Sequence, residues 1–223
     1  MRSHFLLAIA VTSCVSVFGQ NTIGDRMDSA NALIQQGHYA EAIATLTPIE
    51  EFNSVADRER GRAETLSGLA YSDIGQLRKA EQLYEKALVT LGRDNRKNSD
   101  YASALSLLGR LRINAGDPES GERMLRKAAQ IEDHLQDHAG LATVYLHLVA
   151  GAIGQKHWKA ARKYLSAANT QALLAGRMRS RSQRPWMEQP AGSILSLATT
   201  LRQSLPSKML STFTGSSMAL SIS

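Results

Sequence analysis

The sequence predicts an all-α protein built as a solenoid of antiparallel helix pairs. Three observations carry that expectation. Hydrophobic residues make up 43% of the 223-residue chain and aromatics only 5%, so the apolar content is mostly Ala and Leu, which suit closely packed helices better than a sheet. Apolar and small residues recur three or four positions apart, the spacing of amphipathic helices. Turn residues Gly37, Gly75, Gly116 and Lys156 follow one another at intervals of 38, 41 and 40 residues. A repeat of that length implies stacked supersecondary units, since one helix pair cannot bury its own apolar face.

The elements follow in order. Residues 1–19 read as a signal peptide. Arg2 gives the positive start, Phe5 to Val11 the apolar stretch, and Val17-Phe18-Gly19 a small-residue site for cleavage before Gln20. The apolar stretch is too short to span a bilayer as a stable helix. A competing reading uses Val11-Thr12-Ser13-Cys14, which resembles the lipobox of bacterial lipoproteins and would make Cys14 a lipid anchor. Cys14 is the only cysteine, so either route leaves a mature chain with no disulfide and no thiol nucleophile.

Residues 20–176 form the repeat domain. The first pair, 23–53, carries Ala30, Ala32, Leu33, Gly37, Tyr39, Ala42 and Leu46. The second, 57–92, is the clearest: Leu66, Gly68, Leu69, Ala70 and Tyr71, then Ile74-Gly75, then Leu77, Ala80, Tyr84, Ala87 and Leu88. Gly75 falls where the first helix must stop, because glycine enters the left-handed conformation without steric cost. A polar connector, Gly92 to Ser99, leads into the third pair, 100–135, with Leu108-Gly109, Gly116, Gly121, Leu125 and Ala128. There Asp117 suits a helix N-cap and Pro118 the first helical position. The fourth pair, 139–174, has Tyr145, Leu148, Gly151, Trp158, Ala161, Leu165 and Ala168.

Residues 177–223 form a basic, Ser-rich tail expected to lack regular structure, apart from a helix over 194–205. Ile194, Leu197, Leu201 and Leu205 would share one face of it, between Ser193 as cap and Pro206 as stop, and that helix could cover the end of the array. The abrupt loss of pattern also suits a truncated or frameshifted gene.

The repeat resembles the tetratricopeptide repeat family. The resemblance rests on the small residue of the first helix (Ala30, Gly68, Gly109), the turn glycine (Gly37, Gly75, Gly116) and the second-helix alanine (Ala42, Ala80, Ala161). A large residue follows in each case, as Leu46, Tyr84, Leu125 or Leu165. The family's tryptophan early in the first helix and proline after the second helix are missing. The long period is similar to that of kinesin-light-chain-type arrays. The resemblance implies a right-handed superhelix that holds a protein or peptide segment against the first helices of its pairs.

On that implication the partner-binding positions are Asn31, Gln35, Arg62, Leu69, Asp73, Ser106, Arg110, Asn114, Leu146 and Ile153, with Met27, Ile34, Thr65, Ser72, Ser103, Ile113, Thr143 and Ala150 beside them. A partner's C-terminal carboxylate is clamped in some relatives by Lys and Asn on this face. Here Asn31 stands alone, with Met27 where a Lys would be wanted, so that mode is rejected. The mixed polar and aliphatic groove would suit a helix or an extended segment.

Charge narrows the function further. Of the formal +6, the excess lies in Arg2 and in the tail, where Arg177, Arg179, Arg181, Arg184, Arg202 and Lys208 face only Glu188. Residues 21–176 balance, whereas phosphate binding needs a basic face on the folded body, so nucleic acid is disfavoured.

A search for chemistry finds no phosphate loop, nucleophile elbow, His-Glu-x-x-His or CxxC pair. No catalytic residue, metal or cofactor is expected. His134 and His138, four apart beside Asp133 and Asp137, could ligate a metal from one helix face, but no third ligand is identifiable. The plainer reading is a solvated helix end. Glu50, Glu51 and the run Arg58-Glu59-Arg60 read as a solvated face with helical ion pairs. Trp158 reads as a packing anchor, and Trp186 as a docking or interfacial residue in the tail. Three functions compete: an exported interaction scaffold, an envelope lipoprotein anchored at Cys14 that recruits envelope machinery, and the non-catalytic repeat portion of a larger or truncated enzyme or regulator.

Overall fold

Helices form where the three-to-four spacing predicts them, and the computed structural model describes residues 22–51, 54–93 and 98–181. Those residues hold α1 (Ile23–Gln35), α2 (Tyr39–Glu51), α3 (Asp57–Asp73), α4 (Leu77–Leu91), α5 (Ser99–Asn114), α6 (Pro118–His134), α7 (His138–Gly154) and α8 (Trp158–Arg181). The described residues contain no strand, and the architecture is an all-α solenoid of antiparallel pairs, α1/α2 to α7/α8. The signal peptide expected over 1–19, Trp186 and the helix expected over 194–205 lie outside the described residues.

Helix starts are set by short polar side chains. Thr22 and Asp25 form a reciprocal capping box on α1, and Asn98, Asp117 and Asp137 accept backbone N–H bonds at the starts of α5, α6 and α7. Pro118 takes the first helical position, as expected. The turns inside the pairs are alike: Gly37, Gly75 and Gly116 have φ of 82°, 81° and 93°, and Lys156 has 59°. Gln136, between α6 and α7, joins them at 57°, so this link between pairs uses the same tight turn.

The pairs close by complementary sizes. Seven residues before each turn position stand Ala30, Gly68, Gly109 and Val149; nine after it stand Leu46, Tyr84, Leu125 and Leu165. The largest knob, Tyr84, meets a glycine hole, Gly68. In the third pair α5 and α6 cross almost backbone to backbone, where a Cβ on Gly121 would lie 2.4 Å from the Gly109 carbonyl oxygen.

The seams between pairs differ in chemistry. Tyr101, Ala104, Leu105, Leu108 and Leu111 of α5 are buried, and the matching α7 residues Leu141, Val144 and Leu148 are buried as well. The corresponding α3 residues are Arg60, Ala63, Glu64, Ser67 and Ala70. The joint between the first two pairs is therefore polar at its centre.

One expectation changes. The fourth pair does not end at residue 174: α8 runs to Arg181, so residues 177–181 are helical rather than irregular. Ala, Leu and Gln residues with few breakers sustain the helix. The array also has a polar outer surface already, since Lys159, Lys163, Ser166, Asn169 and Thr170 of α8 are exposed.

Candidate functional site: the face of the first helices

Sequence order puts α1, α3, α5 and α7 first in their pairs, and the packing lays them side by side. α1 touches α3, α3 touches α5 and α5 touches α7, so these helices make one continuous wall on the inside of the curve. A solenoid offers this kind of surface to a partner.

The face carries a balanced set of charges. Asp100 at the start of α5 is held by two arginines one turn apart on α3: Arg58 Nε donates to Oδ2 at 2.8 Å and Arg62 Nε lies 3.4 Å from Oδ1. Deeper along the wall, burial raises the Asp73 carboxyl, with the Arg110 guanidinium acting against it. Asn31, Leu69 and Ile153 are half-buried and Gln35 and Asn114 exposed, leaving polar and aliphatic groups between the charged pairs.

Eight of the ten positions assigned to partner binding keep some exposure, and two do not. Ser106 and Leu146 are each 3% exposed. Ser106 turns toward α7 and shares a 2.8 Å hydrogen bond with Nδ1 of His147, and Leu146 packs with Val149 and Leu165. Met27, Ile34 and Thr65 are buried as well. The reason is common to all five: helix period places them on the inner side, but the neighbouring helix sits closer than a free helical wheel shows.

Three further corrections concern charge and chemistry. His134 ends α6 and His138 begins α7, so they do not share a helix face; His138 Nδ1 lies 2.7 Å from Gln171 Oε1 instead. Glu50 is not solvated: it is half-buried, accepts a hydrogen bond from Ser67, and is held above the usual carboxylate range by burial. Glu59 and Arg60 are half-buried too, with Arg60 paired to Asp57, whereas Glu51 and Arg58 are exposed.

Sequence reading missed the buried polar groups. Glu64 is fully buried; Lys86 Nζ stands 3.1 Å from its Oε1, yet neither carboxylate oxygen accepts an aligned hydrogen bond. Glu132, 1% exposed, has its Oε1 3.2 Å from the Ser99 hydroxyl and its Oε2 unpartnered. Burial, and then repulsion from Asp137, push the Glu132 carboxyl up to about 8. Buried His147 is pushed down to about 3 by burial, with nearby Arg110 adding to the effect. A signal existed in the register: Glu64 stands where Leu105 and Tyr145 stand in the next pairs, and Glu132 where Leu91 stands.

The Ser106–His147 pair is enclosed and offers no approach for a substrate. A cavity of about 20 Å³ by Ile113, Glu122, Gly151 and Tyr164 has room for one water. Among the described residues no group of three or more His, Cys, Asp or Glu side chains is placed to hold a metal ion, and no helix is long and apolar enough to cross a membrane.

These features define a tetratricopeptide-like α-solenoid. The tetratricopeptide repeat family's sequence profile matches residues 65–99, from α3 through α4 to the start of α5. No curated protein matches the chain. Among solved structures it is similar to BtubC (BKLC) from P. vanneervenii, with a TM-score of 0.56, 15% identity, and coverage of 90% of this chain and 86% of that one. A Podosopora anserina kinesin light chain protein with nearly identical TPR-like repeats is similar at a TM-score of 0.50 and 14% identity, over 79% of this chain and 93% of that one. At such identities the likeness is one of fold.

Proposed function

We propose that this chain is an exported, non-catalytic scaffold that binds a protein or peptide segment on the wall formed by α1, α3, α5 and α7. The observation that carries the reading is the continuity of that wall, with half-buried Arg62, Leu69, Arg110 and Ile153 set among polar side chains. Apolar patches between paired charges suit a helix or extended segment with both kinds of side chain. Export rests on the N-terminal sequence, Arg2 followed by the Phe5–Val11 stretch.

The test is capture of a partner by the mature repeat region, repeated with Arg110→Glu and Leu69→Glu after circular dichroism shows both variants folded. Loss of the same partner in both variants supports the wall as the binding surface. Undiminished recovery removes it. A second reading, a lipoprotein anchored at Cys14, draws on Val11-Thr12-Ser13-Cys14. Mass spectrometry of the mature N-terminus separates the two: diacylated Cys14 for the anchor, free or cyclised Gln20 for soluble export.

A further inference from the structure

The first and last described helix pairs carry opposite charge at their outer ends. Residues 22–51 contain Asp25, Asp28, Glu41, Glu50 and Glu51 against Arg26 alone. At the other end α8 contains Lys159, Arg162, Lys163, Arg177, Arg179 and Arg181 and no acidic residue. Between them cationic and anionic side chains nearly balance.

Both outer surfaces are largely polar, with Leu173 the one exposed large apolar side chain among the described residues of α8. The positions that hold buried Tyr101, Ala104, Leu105, Leu108 and Leu111 on α5 hold Thr22, Asp25, Arg26, Ser29 and Ala32 on α1. An occupant of either end is therefore selected by charge rather than by apolar burial.

The chain's own stacking shows which charges a following unit would meet. Arg112, near the C-terminus of α5, pairs with Glu81 at 2.7 Å and Glu85 at 2.9 Å, between the first turn and the middle of α4. The second helix of one pair thus runs antiparallel to the first helix of the next. Continuing that stacking past α8 sets its N-terminal half beside the end of the incoming first helix and the turn after it; Arg162 and Ser166 hold the places of Glu81 and Glu85, and exposed Lys159 and Lys163 flank them. Its C-terminal half, with exposed Arg177, meets the start of the incoming first helix. In the first pair of this chain Asp25 and Asp28 stand at the start of that helix and Glu41 just past its turn, all exposed. Asp28, Lys159 and Lys163 join no ion pair among the described residues.

We propose that the protein associates with further copies of itself head to tail, the acidic first pair of one copy docking on the basic α8 of another. Such a contact is heterologous, so it extends into chains or closes into rings rather than stopping at a two-fold dimer. Exposed charge pairs are individually weak, so the association is modest and strongest at low ionic strength.

Sedimentation equilibrium of the full chain tests this. Association is expected at ~20 mM salt and should weaken by roughly fivefold or more at ~300 mM, as the screening length shortens. Lys159→Glu/Lys163→Glu and Asp28→Lys/Glu41→Lys should each abolish self-association, and an equimolar mixture of the two variants should restore association, because the unaltered acidic end meets an unaltered basic end and the two reversed ends match each other. A chain that stays monomeric at low salt overturns the proposal, as does association that survives either reversal. Binding of the monomeric chain to vesicles containing anionic phosphatidylglycerol, lost in Lys159→Glu/Lys163→Glu, would assign α8 to a membrane surface instead.

Discussion

Gly68 of α3 faces the ring of Tyr84 on α4 so closely that a Cβ on it would lie 2.7 Å from Tyr84 Cε1. The second pair closes on this contact, and the other pairs show what relieves it: Ala30 with Leu46, and Val149 with Leu165. Gly68→Ala should destabilise by about 1–3 kcal/mol through overpacking. Adding Tyr84→Leu to Gly68→Ala reproduces the Ala30/Leu46 combination, so the double variant should recover about 1 kcal/mol relative to additivity. Gly121→Ala should cost more than Gly68→Ala, because its new methyl meets the Gly109 carbonyl oxygen of the backbone instead of a ring that can shift. Urea denaturation followed by circular dichroism measures Gly68→Ala, Tyr84→Leu, their double variant and Gly121→Ala.

Glu132 makes stability fall as pH rises. Its carboxyl moves from 4.5 up to about 8 on folding, so between those values the folded chain holds a proton that the unfolded chain has lost. Protons bound in excess by the folded state mean declining stability with rising pH. Ser99, Asp137 and, farther off, Asp100 are the groups that face it, and none is a cation. Glu132→Gln keeps an acceptor for Ser99 and should be more stable than the parent by about 4 kcal/mol at pH 8. That advantage should vanish near pH 4. Equal pH slopes for parent and variant in urea titrations would contradict this account.

His147 acts in the opposite sense. Its imidazole is held down to about 3 from 6.5, so below 6.5 the unfolded chain takes up a proton that the folded chain refuses. Stability from this group is complete above 6.5 and is lost as pH falls toward 3. The His147 ring resonance in NMR should not titrate between pH 7 and 4 while the chain stays folded. Ser106→Ala leaves Nδ1 buried without its partner and should destabilise by about 1–3 kcal/mol.

The turn residues divide into those suited to their backbone and those held in place by it. Lys156 and Gln136 have φ of 59° and 57°, where a side chain crowds its own carbonyl. Lys156→Gly and Gln136→Gly should each stabilise by about 0.5–1 kcal/mol, the strain removed outweighing the entropy that glycine adds to the unfolded chain. Gly75→Ala, at φ 81°, should destabilise by about 1–2 kcal/mol. Thermal melts rank the three.

Much of the fold could be read from order and spacing. Gly37, Gly75, Gly116 and Lys156 marked turns that the structure places in the left-handed region, and Asp117-Pro118 marked the start of α6. Local rules suffice there, because a turn or cap depends on a few adjacent residues. The binding wall was legible only in outline. A helical wheel brings Ser106 and Leu146 to the same side as Arg110 and Ile153, and nothing local says how near the next helix stands.

The sequence alone determined the period, the pairing of helices and the turn geometry, since each follows from propensities and steric limits within a few residues. Tertiary structure decided which helix sides stayed open, that Ser106 bonds to His147, and that Glu50, Glu64 and Glu132 are buried. Those outcomes depend on residues 17 to 41 positions apart being brought together, and the electrostatics of a carboxyl or an imidazole is set by that enclosure rather than by its neighbours in the chain.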